Sequence, residues 1–200
     1  MRQEGLCGRA PRRFRRTTDS RHGHRIAPNL LARDFSATAP NRVWVGDITY
    51  VPTCDGWLYL AVLIDLFSRR VVGWAMSDHI DTELALEALK MAAVGRRPAP
   101  GLIHHTDRDC RYASGEYQLA LRNLEMISSM SGKADCWDNA VAESFFATLE
   151  KELLSRGSLK PRAETRRTVA EYIDRYYNDN RRHSYLDFVS PLEYEMITTL

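Results

Sequence analysis

Hydrophobic positions along the chain change their spacing near residue 80. Before that point, apolar residues alternate with polar ones or form short continuous runs, and turn residues separate the runs. This pattern predicts three β-strands, at residues 43–51, 57–67 and 71–77. An Asp-Gly pair between the first two strands is typical of a tight hairpin. The chain is therefore predicted to contain an antiparallel meander.

Beyond residue 80 the apolar positions take helical spacing, interrupted by two short strand-like runs. Helices are predicted at residues 81–93, 114–124, 138–154 and 163–177, and strands at 102–106 and 125–130. Each long helix has an apolar stripe that should face a core. The first stripe is Val141, Phe145, Leu149 and Leu153, and the second is Val169, Tyr172, Ile173 and Tyr176. Residues 190–193, "SPLE", form a capping box for a last helix.

The order β-β-β-α-β-α-β-α-α indicates an α/β fold. A meander that continues into right-handed crossovers predicts a mixed five-stranded sheet with helices on its faces, in which the fourth strand can lie beside the first. Three parts are expected along the chain. Residues 1–40 are a basic arm or connector, 41–157 the core domain that contains the sheet, and 158–200 a carboxy-terminal helical extension.

Charge is distributed unevenly along the chain. Residues 1–33 hold nine Arg against Glu4 and Asp19, a net of +7, so the remainder carries −5 of the total of +2. Such an arm is typical of a polyanion partner, most often nucleic acid, although a solvated leader would have the same composition. Its candidate phosphate contacts are Arg12, Arg13, Arg15 and Arg16.

Cysteine usage and hydropathy exclude several classes of protein. The four cysteines are scattered and contain no Cys-x-x-Cys pair, which argues against a zinc site and a disulfide scaffold. The longest apolar run, residues 57–64, is far shorter than the ~20 residues that span a bilayer. A protein of the cytoplasm with no membrane partner is expected.

Acidic residues occur where the predicted fold can bring them together. Asp47 lies within the first strand, although Asp is depleted from strands, and Asp107 directly follows the fourth. Glu143 lies on the polar side of a long helix, with Asn139 and Glu150 on nearby faces. Carboxylates with open positions suit Mg²⁺ or Mn²⁺, and two such ions can assist phosphoryl transfer. Taken alone, a Glu on a polar helix face is usually only solvated.

Five stretches carry a recognisable pattern: "NRVWVGDITYV", "LYLAVLIDLFSRRVVGWAM", "HTDRDCRYAS", "SMSGKADCWDNAVAESFFATLEKEL" and "YIDRYYNDNRRHSYLDFVSPLEYE". In this order they resemble the integrase-core (DDE) transposases of bacterial insertion sequences, a group related to retroviral integrases. Asp107 and Glu143 match the family's D-x35-E spacing, and Asp47 takes the first acidic position. The resemblance covers about residues 25–197 and implies a ribonuclease-H-like fold.

The resemblance also implies an activity and its residues. The expected reaction is metal-dependent cleavage at element ends followed by strand transfer into target DNA, with Asp47, Asp107 and Glu143 holding two Mg²⁺ or Mn²⁺ ions. His105 is expected to orient Asp107. The expected DNA contacts are Asn139, which could instead steady the metal shell, and Lys151, Arg181, Arg182 and His183. Expected partners are DNA, further copies of the chain and an upstream-frame helix-turn-helix protein, acting at the bacterial nucleoid.

Several positions depart from the family pattern. The family usually has Gly, Ser and Gln where this chain has Asp109, Cys110 and Arg111, and Lys where it has Glu150. An extra carboxylate at Asp109 could compete for metal or raise the pKa of a neighbour. An anion at Glu150 should weaken DNA binding.

Two other functions therefore stay open. One is a catalytically weakened, truncated relative that binds DNA or assembles with a full-length transposase. The other is a stand-alone nuclease of the same fold. Two residue types have plainer expectations: Asp65 is expected to cap a turn, and Trp44, Trp57 and Trp74 to pack in the core.

Overall fold

The structure, a computed structural model, describes residues 22–132 and 139–198. Five strands and six α-helices follow one another within these ranges. The strands are β1 Val43–Thr53, β2 Gly56–Asp65, β3 Val71–Ser77, β4 Ile103–Thr106 and β5 Ile127–Met130. The helices are α1 Thr82–Arg96, α2 Cys110–Ala113, α3 Gly115–Asn123, α4 Ala140–Leu149, α5 Arg162–Glu171 and α6 Pro191–Thr198. Two π-helical turns, Glu150–Leu154 and Tyr172–Tyr177, directly extend α4 and α5, and a 3₁₀ turn spans Ser184–Leu186.

All five strands form one mixed sheet in the order β3-β2-β1-β4-β5. β1, β2 and β3 pair antiparallel, as the meander predicts, and β4 pairs parallel with both β1 and β5. The sequence prediction of a mixed five-stranded sheet with β4 beside β1 is confirmed. Of the elements listed, only the four-residue α2 and the π and 3₁₀ turns were not predicted, because such short segments have no detectable periodicity.

Helices cover both faces of the sheet and make two hydrophobic cores. On one face Trp44 and Ile48 of β1 pack with α1 and α3. On the other face Val45 and Val51 pack with α4, α5 and the π-helical turn that follows α5. A Cβ at Gly73 in β3 would lie 2.4 Å from the carbonyl oxygen of Ala88, so only glycine allows α1 to approach this closely.

The π-helical turn after α5 changes which tyrosine is buried. A continuous α-helix would bury Tyr176 together with Val169 and Tyr172. Tyr176 is instead 47% exposed, and Tyr177 is 4% exposed with its ring edge-on to Phe145, 4.8 Å between centroids. The prediction for Tyr176 is therefore wrong, because a π turn spaces its hydrogen bonds five residues apart and places Tyr177, not Tyr176, below Tyr172.

Asn178 and Glu195 make polar contacts that attach the carboxy-terminal segment to β3 and α1. The side-chain amide of Asn178 accepts a hydrogen bond from the backbone N–H of Val71 (2.9 Å) and donates one to its carbonyl (3.0 Å). Glu195 of α6 pairs through both carboxylate oxygens with Arg96 of α1, at 2.8 Å each, and also binds Arg70.

The division of the chain into an arm, a core and a carboxy-terminal extension stays a prediction.

The remaining expectations about the core have mixed outcomes. The capping box is confirmed, since the N–H of Glu193 donates to the Ser190 hydroxyl at 3.2 Å. Asp65 caps its turn as expected, accepting from the backbone N–H of Phe67 at 3.0 Å. Trp44 is fully buried, but Trp57 is 38% exposed. The core prediction is wrong for Trp57, because it lies opposite Pro52, beside the turn that closes the β1–β2 hairpin.

Substituting each tyrosine tests the π-helical turn after α5. Tyr177→Ala should lower the free energy of unfolding by about 3 kcal/mol, because it empties a buried aromatic site. Tyr176→Ala, one residue earlier and half exposed, is the matched control and should change it by less than about 1 kcal/mol. Urea denaturation measures both. Equal losses, or a larger loss for Tyr176→Ala, would show that the α-helical register continues.

Candidate active site

The parallel pairing of β1 with β4 creates the candidate site. Gly46 and Thr106 are the last paired residues of the two strands, so Asp47 and Asp107 come next on adjacent strands. β4 ends at this point while β1 continues, which leaves both carboxylates at a crevice in the sheet. Crevices at the carboxyl ends of parallel strands are the usual ligand sites of α/β sheets.

Asp47 is held in an environment that disfavours its charge. Burial raises the pKa of Asp47 well above its ordinary value of 3.8, and the charge of Asp107 raises it further. A hydrogen bond from the backbone N–H of Ile48, 2.7 Å from Oδ1, opposes the shift without cancelling it. The carboxylates therefore repel each other in a poorly solvated place.

Glu143 lies on α4, near the Asp47–Asp107 pair. It lies on the exposed side of that helix, whose Phe145 and Leu149 pack on the sheet as predicted, and partial burial raises its own pKa. The charge of Glu143 also raises the pKa of Asp47, so the two carboxylates are within electrostatic reach. The structure thus sets Asp47 and Asp107 side by side, with Glu143 near enough for its charge to act on Asp47.

Helix α2 and its cap add charged and polar groups: Asp109, which the sequence analysis singled out as an extra carboxylate near Asp107, and Arg111 and Tyr112, which it did not assign to the site. Asp47, Asp107, Asp109, Arg111 and Tyr112 line a narrow pocket together with Ile48. Asp109 caps α2 by accepting from the backbone N–H of Arg111 at 2.9 Å, and its second oxygen forms an ion pair with the Arg111 guanidinium. The φ of Asp109 is −69°, so this position does not need the glycine that the family usually has there.

Tyr112 is the second group that the sequence analysis missed. It is 2% exposed, and its hydroxyl has no hydrogen-bond partner among the residues that the structure describes. Burial raises the pKa of Tyr112 well above its usual value, and Asp47 and Asp107 are among the groups that add to the shift. Asp109, as a residue type that favours the N-cap position, could have predicted the start of α2 from the sequence. The four residues of α2 themselves are too few to show a hydrophobic periodicity.

Two models of the integrase core domain match the chain, one over residues 37–136 and the other over 125–191. Together with the transposases described next, they decide the family. The chain belongs to the integrase-core family of bacterial insertion-sequence transposases.

Curated transposases are similar along most of this chain. The transposase of element IS904 from Lactococcus lactis is 48% identical over 168 residues, which is 84% of this chain and 66% of that protein. The InsF transposase of IS3A from Escherichia coli is 44% identical over 195 residues, 98% of this chain and 68% of that protein. The chain thus spans about two thirds of the length of these transposases.

Solved structures show the same fold at low sequence identity. The HTLV-2 integrase catalytic core in complex with magnesium superposes with a TM-score of 0.59 and 18% identity, covering 80% of this chain and 99% of that one. A chain of the simian T-cell lymphotropic virus intasome has a TM-score of 0.66 and 18% identity, covering 86% and 59%. The integrase-core chain therefore has the ribonuclease-H-like fold that its resemblance implied.

Three polar side chains of this integrase core are buried close in sequence to Asp107 or Glu143: His104, His105 and Asn139. His105 is fully buried, and its Nδ1 is hydrogen-bonded to the hydroxyl of Ser129 at 2.8 Å. Burial lowers the pKa of His104 to about 3, so this residue is neutral at physiological pH. Asn139 occupies the N-cap position of α4, one turn before Glu143, without a side-chain capping hydrogen bond. It is 6% exposed, and its Oδ1 lacks a partner within residues 22–132 and 139–198.

The residues predicted to contact DNA differ in exposure, in ion pairing and in charge. Lys151 and Arg182 are exposed. Arg181 is bound through Nε to Glu152, at 3.0 and 3.2 Å. Burial and the adjacent Arg181 lower the pKa of His183 to about 4, so His183 is neutral at pH 7. Arg12, Arg13, Arg15 and Arg16 lie outside the described residues.

The donor chemistry of the pocket fits a divalent cation. Asp47, Asp107 and Glu143 offer hard carboxylate oxygens, and a cation would relieve the repulsion that raises the pKa of Asp47. The unpartnered hydroxyl of Tyr112 adds a polar atom at the same place. Over the part of the chain that the structure describes, however, no group of three or more His, Cys, Asp and Glu side chains is already arranged to hold an ion.

None of the described helices is long and apolar enough to cross a membrane.

The repulsion around Asp47 predicts that its removal stabilises the metal-free fold. A raised folded-state pKa means that the ionised Asp47 destabilises the protein above that pKa, and the effect fades as pH falls towards the ordinary value of 3.8. Asp47→Asn should therefore raise the free energy of unfolding at pH 7, with a gain that shrinks at lower pH. Urea denaturation with a chelator, from pH 8 to pH 5, measures this.

Asp179→Asn, at an exposed position, is the control for Asp47→Asn and should change stability by less than about 0.5 kcal/mol. A loss of stability in Asp47→Asn at pH 7 would contradict the electrostatic account.

Proposed function

We propose that this chain is the catalytic part of a DNA transposase that cleaves phosphodiester bonds at element ends and joins those ends to target DNA in a divalent-metal-dependent reaction. The observation that carries the proposal is the adjacent placement of Asp47 and Asp107 where β4 ends, with the charge of Glu143 acting on Asp47. Family membership supports the reaction class, because the related proteins are transposases of insertion elements.

Both reaction steps are in-line displacements at phosphorus. In cleavage, a water oxygen bonds to the phosphorus at the element end, the P–O3′ bond breaks, and the leaving oxygen takes a proton to become a 3′-hydroxyl. In strand transfer, that 3′-hydroxyl loses its proton and bonds to a phosphorus of the target, while the target's own 3′ oxygen leaves. Neither step needs a covalent nucleophile from the protein.

Asp47, Asp107 and Glu143 are the residues that would hold Mg²⁺ or Mn²⁺, with two ions as the expected number. Bound ions would activate the attacking oxygen and stabilise charge on the leaving oxygen. The HTLV-2 core, which shares the fold, was solved in complex with magnesium. The short loop that joins β4 to α2 holds Asp107, whose Oδ1 accepts from the backbone N–H of Asp109 at 3.0 Å.

DNA is the proposed substrate and partner. Lys151 and Arg182 are suited to phosphate contacts because their cationic groups are exposed, whereas Arg181 and His183 also hold the carboxy-terminal segment in place. Asn139 has a buried amide oxygen close to the start of α4, where it could contact DNA or a ligand of the ions. The basic arm, with Arg12, Arg13, Arg15 and Arg16, would add sequence-independent affinity. His105 remains a proposed support for Asp107.

Assembly into an oligomer on DNA is part of the proposal. The HTLV-2 core was solved in dimeric and trimeric forms, and the simian viral protein within an intasome. Action on chromosomal DNA would place the protein at the bacterial nucleoid. An upstream-frame helix-turn-helix partner stays a prediction.

Removing a single carboxylate should abolish the chemistry but not DNA binding. Duplex oligonucleotides carrying the terminal repeats that flank this gene, incubated with the full chain and Mn²⁺, provide the assay. Asp107→Asn and Glu143→Gln should each lower the cleavage and joining rates by about 10³-fold or more, since a lost metal ligand removes several kcal/mol of transition-state stabilisation. Binding of the same duplexes, measured by fluorescence anisotropy, should change less than about threefold.

Glu116→Gln, on the exposed surface of α3, is the matched control and should cleave like the wild type. Wild-type protein that binds end duplexes but neither cleaves nor joins them would contradict the proposal and favour a DNA-binding relative. Cleavage that persists in Asp107→Asn or Glu143→Gln would contradict the assigned roles.

A further inference from the structure

Arg111 is a positive charge inside the pocket that the proposed ions would occupy. Arg111 lines the pocket together with Asp47 and Asp107, and its side chain is only 12% exposed. Arginine stays protonated at all physiological pH values. A divalent ion entering this pocket would therefore meet a fixed positive charge as well as its carboxylate ligands.

Asp109 holds Arg111 in that place. One carboxylate oxygen of Asp109 caps α2 through the Arg111 backbone N–H, and the other pairs with the Arg111 guanidinium. Asp109 itself is 2% exposed and contributes to the raised pKa of Asp47. The ion pair is thus a buried part of the pocket wall, and its two members lie two residues apart on one short helix.

We propose that Arg111 is a resident cation that competes with the divalent ion for the Asp47–Asp107 pocket, and that the ion pair with Asp109 sets the metal affinity of the chain. This inference rests on the proposed function, because it assumes that the pocket takes a divalent ion. Arg111 neutralises part of the carboxylate field while no ion is bound. An entering divalent ion is therefore attracted less strongly by the carboxylates and is repelled by the guanidinium. The Kd for the ion should be higher in this chain than in a variant without Arg111.

Mn²⁺ titration of the full chain without DNA, read by the electron paramagnetic resonance signal of free Mn²⁺ at constant ionic strength, tests the competition. Arg111→Gln should lower the Kd for Mn²⁺ about tenfold, since it removes a unit charge a few Å from a divalent ion. Arg111→Lys keeps the charge and should stay within about threefold of the wild type. Thermal unfolding of each variant with a chelator verifies that it folds.

A double-mutant cycle tests the role of Asp109. Asp109→Asn keeps an oxygen to cap α2 but removes the negative charge that pairs with the Arg111 guanidinium, so it should weaken Mn²⁺ binding several-fold. Arg111→Gln should then improve binding more in the Asp109→Asn background than in the wild type. Equal gains in the two backgrounds would overturn the assignment of Asp109 as the partner that offsets the Arg111 charge.

Two controls separate the possible failures. Arg108→Gln removes an arginine that does not line the pocket and whose Nε donates to the Ser131 carbonyl at 2.6 Å; it should change the Kd less than twofold. A Kd that is unchanged in Arg111→Gln, or lowered equally by Arg108→Gln or Arg111→Lys, overturns the inference about Arg111. If Asp107→Asn also leaves Mn²⁺ binding unchanged, the ion does not bind in this pocket and the metal-dependent function is overturned as well.

Discussion

The parallel pairing of β1 with β4 is the constraint on which the candidate site depends. It sets Asp47 and Asp107 at adjacent positions where β4 ends, so two like charges share a place that water reaches poorly. The two hydrophobic cores on either side of the sheet keep the strands in this register despite the repulsion. A fold that maintains such a repulsion has a pocket suited to a positively charged ligand, because such a ligand turns the repulsion into binding energy.

Helix α4 and the carboxy-terminal segment complete that arrangement. Phe145 packs α4 on the sheet, and Tyr177 packs against Phe145 from the π-helical turn after α5. Asn178 and Glu195 then attach the end of the described chain to β3 and α1. Arg181 and His183, which were predicted to contact DNA, belong to this segment and also have a structural role. Arg181 is ion-paired with Glu152, and His183 is partly buried and neutral.

Much of the fold, and the placement of Asp47 and Asp107 on neighbouring strands, could be predicted from the sequence. Strand alternation and helical spacing are strong signals over long segments, and Asp47 is conspicuous because strands rarely contain Asp. The π-helical turns could not be predicted, because the α-helical period assigns Tyr176 to the core where the structure buries Tyr177. The pocket contacts of Arg111 and Tyr112 depend on the four-residue α2, which is too short for a periodic signal.

Crystallographic location of Mn²⁺ by anomalous scattering, in crystals of the full chain bound to an element-end duplex, tests the central claim most directly. The account predicts an anomalous peak in the crevice between Asp47 and Asp107, with oxygens of both residues and of Glu143 about 2.1–2.6 Å from ions at the site. An Mn²⁺ peak bound only elsewhere on the protein, or no peak in this crevice at saturating Mn²⁺, would contradict it.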